Sequence, residues 1–108
     1  MFQIRTAQMR AFSSTVQGDF ERRALVHLND THPDYAQRHG ETGLRMLLKE
    51  CHAQADAAGL GTERGIVTWA ELVIRYGDGF HKREPWADYI LALDADAAER
   101  VDRLREYL

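Results

Sequence analysis

The sequence contains little cysteine and little proline. Its one cysteine, Cys51, cannot form a disulfide within the chain, and only 2 of the 108 residues are proline. A lone cysteine is typical of proteins from reducing compartments. Alanine, leucine, arginine and glutamate, which all favour helix, are abundant. These features predict an all-α protein without internal disulfides.

Long apolar runs are also missing. No segment approaches the eighteen or so uninterrupted apolar residues of a membrane-spanning helix. The first five residues, Met-Phe-Gln-Ile-Arg, do not begin an apolar run of signal-peptide length. We therefore predict a cytoplasmic protein that has no membrane partner.

The chain lacks an excess of positive charge. It has 14 Lys and Arg against 17 Asp and Glu, which gives a net charge of −3. Nucleic-acid binding depends on a dense basic surface, because neutralising phosphates supplies most of the affinity. We therefore predict no nucleic-acid partner.

The strongest structural feature is a nearly all-apolar helix over residues 63–76. Thr62 is a good N-cap for it, and Gly77 is a natural end. A helix that is apolar around most of its circumference is buried by its neighbours, so we predict that this is the central helix. Its polar residues form one narrow line, which we expect to face water or a polar partner: Arg64, Thr68, Glu71 and Arg75.

Four further helices are predicted around the central one, and together the five form a single domain over residues 1–108. The first starts at Ala7, continues through Gly18 and ends before Pro33. Its apolar stripe is Met9, Phe12, Val16, Phe20, Ala24 and His27. A single turn over residues 33–38 precedes a helix that starts at residue 41 or 42 and ends at Ala58, with Gly59 as its C-terminal cap and Leu60 folded back on its last turn. The last two helices start at Pro85 and after a cap at Asp94.

No pattern of catalytic or metal-binding residues stands out. The five histidines and Cys51 lack the spacing of a zinc motif. Cys51 lies on an apolar helix face, where a free cysteine usually acts as a small hydrophobe. Gly59-Leu60-Gly61 is too short for a phosphate loop and lacks the preceding strand. We predict no enzymatic activity, no metal and no cofactor.

One short segment combines basic and aromatic residues and is our candidate protein-binding surface. Trp86 and Tyr89, three residues apart, are consistent either with packing inside the domain or with the edge of an interface. The predicted contact residues are Phe80, Lys82, Arg83, Trp86 and Tyr89, with Arg22 and Arg23 of the first helix.

Several short motifs, in order, resemble a family of small all-helical bacterial proteins that are often encoded beside type VI secretion spike, tip and effector genes. They span Val26 to Leu104 and are His32-Pro33, Ala57-Ala58-Gly59-Leu60, Thr62-Glu63-Arg64, Glu71-Leu72, Arg75-Tyr76-Gly77, Phe80, Pro85-Trp86-Ala87 and Ile90-Leu91. The chain departs from the pattern at Gly65-Ile66, where the family often has Asp-Val, and at His81, where an Asp is usual.

The resemblance implies a non-enzymatic cytoplasmic accessory of a secreted effector: a chaperone, a loading adaptor or an immunity-type protein. Its partner would be the effector or a spike or tip protein. The alternative is a structural protein whose first helix pairs with its own copy in a homodimer. A small enzyme or toxin component of the same gene cluster ranks below both.

Overall fold

Six α-helices build the part of the chain that the structure describes. This computed structural model gives the backbone of residues 7–108 and the side chains of residues 18–108. The helices are α1 (Ala7–Thr31), α2 (Pro33–Ala57), α3 (Glu63–Tyr76), α4 (Phe80–Arg83), α5 (Pro85–Leu91) and α6 (Ala97–Arg105). The all-α prediction is confirmed, and the one-turn α4 is an addition to the five predicted helices.

Helix α1 runs through Gly18 without interruption, as predicted. Its buried residues include Phe20, Ala24 and Leu28, whereas His27 is exposed. The prediction of His27 on the apolar face was therefore wrong. Both His27 and Leu28 continue the three-to-four-residue spacing, and the fully apolar Leu28 takes the core position. The predicted stripe residues Met9, Phe12 and Val16 lie outside the residues whose side chains are described.

Helix α2 is kinked at Gly40, which explains why the sequence predicts two segments there. Gly40 has φ 70° and ψ −178°, a conformation that a helix does not contain and that glycine adopts without strain. The predicted turn at residues 33–38 and the predicted helix from residue 41 are thus the two arms of α2. After α2, Gly59 has φ 81° and the amide of Leu60 donates to the carbonyl of Ala55 at 2.7 Å. This confirms the predicted C-terminal cap.

Helix α3 has the predicted bounds and the predicted central position. The hydroxyl of Thr62 accepts a hydrogen bond from the amide of Gly65 at 3.0 Å, which satisfies one of the free donors of the first turn. Helices α1, α2, α4 and α6 all contact α3. Its Trp69 and Leu72 side chains are completely enclosed in the core. Gly77 ends the helix and donates its amide to the carbonyl of Val73.

The start of α6 differs from the prediction. Asp96, and not Asp94, is its N-cap, and its carboxylate accepts from the amide of Glu99 at 2.8 Å. Asp96 is followed three residues later by Glu99, the spacing of a capping box, whereas Asp94 is followed by Ala97. Pro85 begins α5 as predicted.

Candidate functional site

The predicted contact residue Phe80 lies in the core. Its side chain has no exposed surface, and its ring packs edge-on against Trp69 with 5.0 Å between the ring centroids. The prediction that Phe80 touches a partner is therefore corrected. The segment holding it folds as the one-turn helix α4, which turns the ring inward.

Arg83 supports the end of the central helix. Its guanidinium donates to the carbonyl oxygens of Asp78 and Tyr76, the second at 2.8 Å. Cations stabilise helix C-termini, because the last carbonyls have no partner within the helix. Arg83 thus has a structural role in addition to any contact it makes, while Lys82 is exposed beside it.

Trp86 and Tyr89 belong to a group of aromatic residues that we call the aromatic surface: the half-buried Tyr76 and Trp86 and the exposed Tyr89 and Tyr107. The rings of Trp86 and Tyr107 stack with centroids 4.0 Å apart and planes at 7°. Tyr76 meets Trp86 edge-on, and its hydroxyl donates to the carbonyl of Tyr107 at 2.6 Å. Tyr89 lies one helical turn after Trp86 and is 67% exposed. Trp86 therefore packs within the domain, whereas Tyr89 faces solvent and stays a predicted contact residue.

Arg22 and Arg23 lie on a different surface. Arg22 pairs with Asp19 at 2.6 Å. Arg23 contacts Asp19 at 2.9 Å and reaches across to Glu63 of α3 at 3.1 Å. Among the described residues, α1 makes no contact with α4 or α5. The seven predicted contact residues therefore do not form one site.

The sequence did not predict a cluster of ionisable side chains around Glu71, which is itself only 6% exposed. Arg105 of α6 lies 3.2 Å from its Oε1. The Nε2 atoms of His32 and His27 lie 3.1 and 3.4 Å from its Oε2. We call these four residues the Glu71 cluster. It connects α1, the α1–α2 junction, α3 and α6 through one carboxylate.

The polar line of α3 was expected to face water or a polar partner, and its two middle residues, Thr68 and Glu71, meet polar side chains of the domain and not water. Thr68 is fully buried, and its hydroxyl accepts from Arg105 at 3.0 Å. Arg64 and Arg75, at the two ends of the line, are exposed. One signal in the sequence was available, since a carboxylate on an otherwise apolar helix requires a buried partner. Nothing in the sequence identified which of the other elements supplies it.

Catalytic and metal chemistry finds little support in the described part of the chain. Cys51 is 2% exposed, and burial raises the pKa of its thiol to about 12, with smaller contributions from the charges of Glu50 and Asp78. A thiol of this kind is a poor nucleophile. No group of three or more His, Cys, Asp or Glu in residues 18–108 is arranged to hold a metal ion. In the Glu71 cluster, Arg105 on the same carboxylate also disfavours a second cation.

The surroundings of His81 favour its neutral form. Burial lowers its pKa, and the charge of Lys82 lowers it further. Its Nδ1 is buried and has no hydrogen-bond partner, and its ring lies 5.0 Å from the ring of Trp69. His81 is thus a packing residue of the α4 segment.

None of the helices in residues 7–108 is long and apolar enough to cross a membrane. Comparisons of the chain with known protein families, with curated proteins and with solved structures found no match.

Proposed function

We propose that this chain is a non-enzymatic protein-binding accessory that works in the cytoplasm and holds or delivers a secreted effector or a secretion spike protein. The resemblance to small helical proteins encoded beside type VI secretion genes suggests the class of partner. An immunity-type role, in which binding inhibits the effector, belongs to the same proposal.

The aromatic surface is the observation that supports binding. Tyr and Trp side chains dominate the energy of protein interfaces, because each offers a large rigid area with a polar tip. Tyr89 exposes two-thirds of its surface, while the Trp86–Tyr107 stack holds the neighbouring rings in a fixed arrangement. Lys82 and Asp88, which are exposed, lie within four residues of Trp86 along the chain. Aromatic anchors surrounded by a charged rim are typical of protein interfaces.

Co-expression with the products of the neighbouring genes tests the proposal. We expect the chain to co-elute with an effector or spike protein in size-exclusion chromatography. Tyr89→Ala should weaken that complex at least about tenfold, as expected for an aromatic anchor worth 1.4 kcal/mol or more.

Met46→Ala is the matched control for Tyr89→Ala. Met46 is a large apolar residue with similar exposure, 60%, and it lies on α2, which does not contact α5 among the described residues. This variant should bind normally. If no neighbouring gene product forms a complex with the chain, or if both variants bind alike, the proposal is wrong.

A further inference from the structure

A pocket of about 300 Å³ lies where the two arms of α2 meet. It shares no residue with the aromatic surface or with the Glu71 cluster. We call it the α2 pocket. Its lining includes residues from both arms, from α3 and from the loop after α3: Tyr35, His39, Glu50, Cys51, Val73 and Asp78.

The kink at Gly40 creates the α2 pocket. Tyr35 and Cys51 are 16 residues apart in the sequence, so a straight helix would hold them about 24 Å apart. In the structure both line one pocket, because the backbone of Gly40 turns the first arm against the second. The rings of Tyr35 and His39 stack with centroids 4.1 Å apart and form an aromatic wall of the pocket.

The two acidic side chains of the α2 pocket, Glu50 and Asp78, have no cationic partner. Neither carboxylate forms an ion pair or a hydrogen bond in the described part of the chain, and no lysine or arginine of that part lines the pocket. The imidazole of His39 lines it but pairs with neither carboxylate. Arg83 donates to the backbone carbonyl of Asp78 and not to its side chain. The pocket therefore carries two negative charges that no ion pair compensates.

These two charges act inside the pocket. Burial is the largest cause of the raised pKa of Cys51, and the charges of Glu50 and Asp78 raise that pKa further. Burial also raises the pKa of Tyr35, where the charge of Glu50 adds to the shift and that of Arg38 opposes it. Two carboxylates that disfavour a further anion attract a cation in the same place.

The size and the apolar lining of the pocket restrict the ligand further. Its volume is at the lower end of the range of about 300–1,000 Å³ for ligand pockets, so it fits one side chain or a small molecule and not a helix. Val73 and the buried Cys51 offer apolar contacts, and the face of a tyrosine ring such as that of Tyr35 attracts cations. The best fit is an alkyl stem that ends in a positive charge.

We infer that the α2 pocket binds an alkyl cation, with the positive group between Glu50 and Asp78 and the stem against Tyr35 and Val73. A lysine or arginine side chain of another protein and a free aliphatic amine share this chemistry. The inference goes beyond the proposed function and does not depend on it.

Titration of the whole chain with small probes, followed by ¹H–¹⁵N NMR spectra, tests the inference. The probe n-pentylammonium has both the stem and the charge, whereas n-pentanol lacks the charge and methylammonium lacks most of the stem. We expect n-pentylammonium to shift the amide signals of Cys51 and Asp78 and to bind at least about fivefold more tightly than either of the other probes. Added salt should weaken its binding.

A capped Gly-Gly-Lys-Gly-Gly peptide distinguishes the two sources of the cation. Tighter binding than n-pentylammonium identifies a protein side chain as the ligand, and weaker binding identifies a free amine. Both outcomes support a cation site at the α2 pocket.

Charge-removing variants locate the site. Glu50→Gln and Asp78→Asn change different elements, and each should weaken n-pentylammonium at least about threefold. Glu106→Gln is the matched control, because Glu106 is an exposed carboxylate without an ion pair and follows α6, which does not contact α2 among the described residues. It should leave the affinity within about 1.5-fold of the parent protein. Circular dichroism of each variant confirms that it is folded.

Three results would overturn the inference. The first is that n-pentylammonium does not bind, or binds no more tightly than n-pentanol. The second is that neither Glu50→Gln nor Asp78→Asn weakens binding, and the third is that Glu106→Gln weakens it as much as they do. None of these outcomes depends on the co-expression experiment, so the inference and the proposed function fail separately.

Discussion

Removing the charge of Glu71 while keeping its shape is the sharpest test of how the helices are joined. In Glu71→Gln, Arg105 loses a carboxylate at 3.2 Å, and His32 loses one at 3.1 Å. A hydrogen bond to a charged group contributes about 1.5–3 kcal/mol, and breaking a buried ion pair costs about 3–5 kcal/mol. Because Arg105 is 35% exposed and water can reach it, we expect about 2 kcal/mol, near the low end. That loss lowers the Tm by roughly 8 °C, at about 4 °C per kcal/mol.

The assay is urea unfolding followed by far-ultraviolet circular dichroism and by tryptophan fluorescence, with Arg105→Met as the second variant. Arg105→Met leaves the buried carboxylate without its guanidinium, so we expect it to cost about 3 kcal/mol. Arg103→Met is the matched control on the same helix, since Arg103 pairs with the exposed Glu99 at 3.6 Å. It should cost less than about 0.5 kcal/mol. If Glu71→Gln or Arg105→Met costs no more than the control, the Glu71 cluster does not stabilise the fold.

Three further predictions concern a glycine, a thiol and an imidazole. Gly59→Ala should destabilise the protein by about 1–2 kcal/mol, because Gly59 has φ 81°. Gly18 lies inside α1 with open space around it, so Gly18→Ala should stabilise the protein by up to about 1 kcal/mol in the same urea assay. If both substitutions change the free energy of unfolding in the same direction, the reasoning is wrong. Native Cys51 should resist thiol reagents at pH 8 and react on unfolding. Because the pKa of the Cys51 thiol is raised in the folded protein, the unfolded chain loses the thiol proton at a lower pH, starting near the ordinary value of 9.0. Above that pH, the free energy of unfolding of the parent protein should fall relative to that of Cys51→Ala, by up to about 1.4 kcal/mol per pH unit. Because the pKa of His81 is lowered in the folded protein, the unfolded chain binds the imidazole proton at a higher pH. From pH 7 down to pH 5, the parent protein should therefore lose stability relative to His81→Phe. A difference in free energy of unfolding that stays constant over this pH range would refute the prediction.

The features that the sequence predicted correctly depend on local rules. Helix α3 starts after Thr62 and ends before Gly77, because an N-cap hydroxyl and a terminating glycine act within a few residues of the helix end. Gly59 with Leu60 ends the preceding helix for the same local reason. The central position of α3 also followed, since only a buried helix tolerates apolar residues around most of its circumference.

The features that the sequence missed depend on which helix packs where. Thr68 and Glu71 form a polar line on α3, and a helical periodicity assigns such a line to solvent. The line is covered because α6 packs on it and brings in Arg105, which lies 34 residues after Glu71 in the sequence. Phe80 is a similar case: it was predicted to contact a partner, but its ring packs against Trp69 of α3 and is buried.

The same division between local and distant effects bears on function. Many of the residues that carry the family resemblance shape or fill the fold: Thr62 caps α3, Gly77 ends it, and Leu60, Phe80 and Ala87 are buried. Tyr89, on which the proposed binding surface depends most, lies outside those motifs and is exposed to solvent. The motif residues therefore account for the fold, and the proposed binding function depends on a residue that the fold does not require.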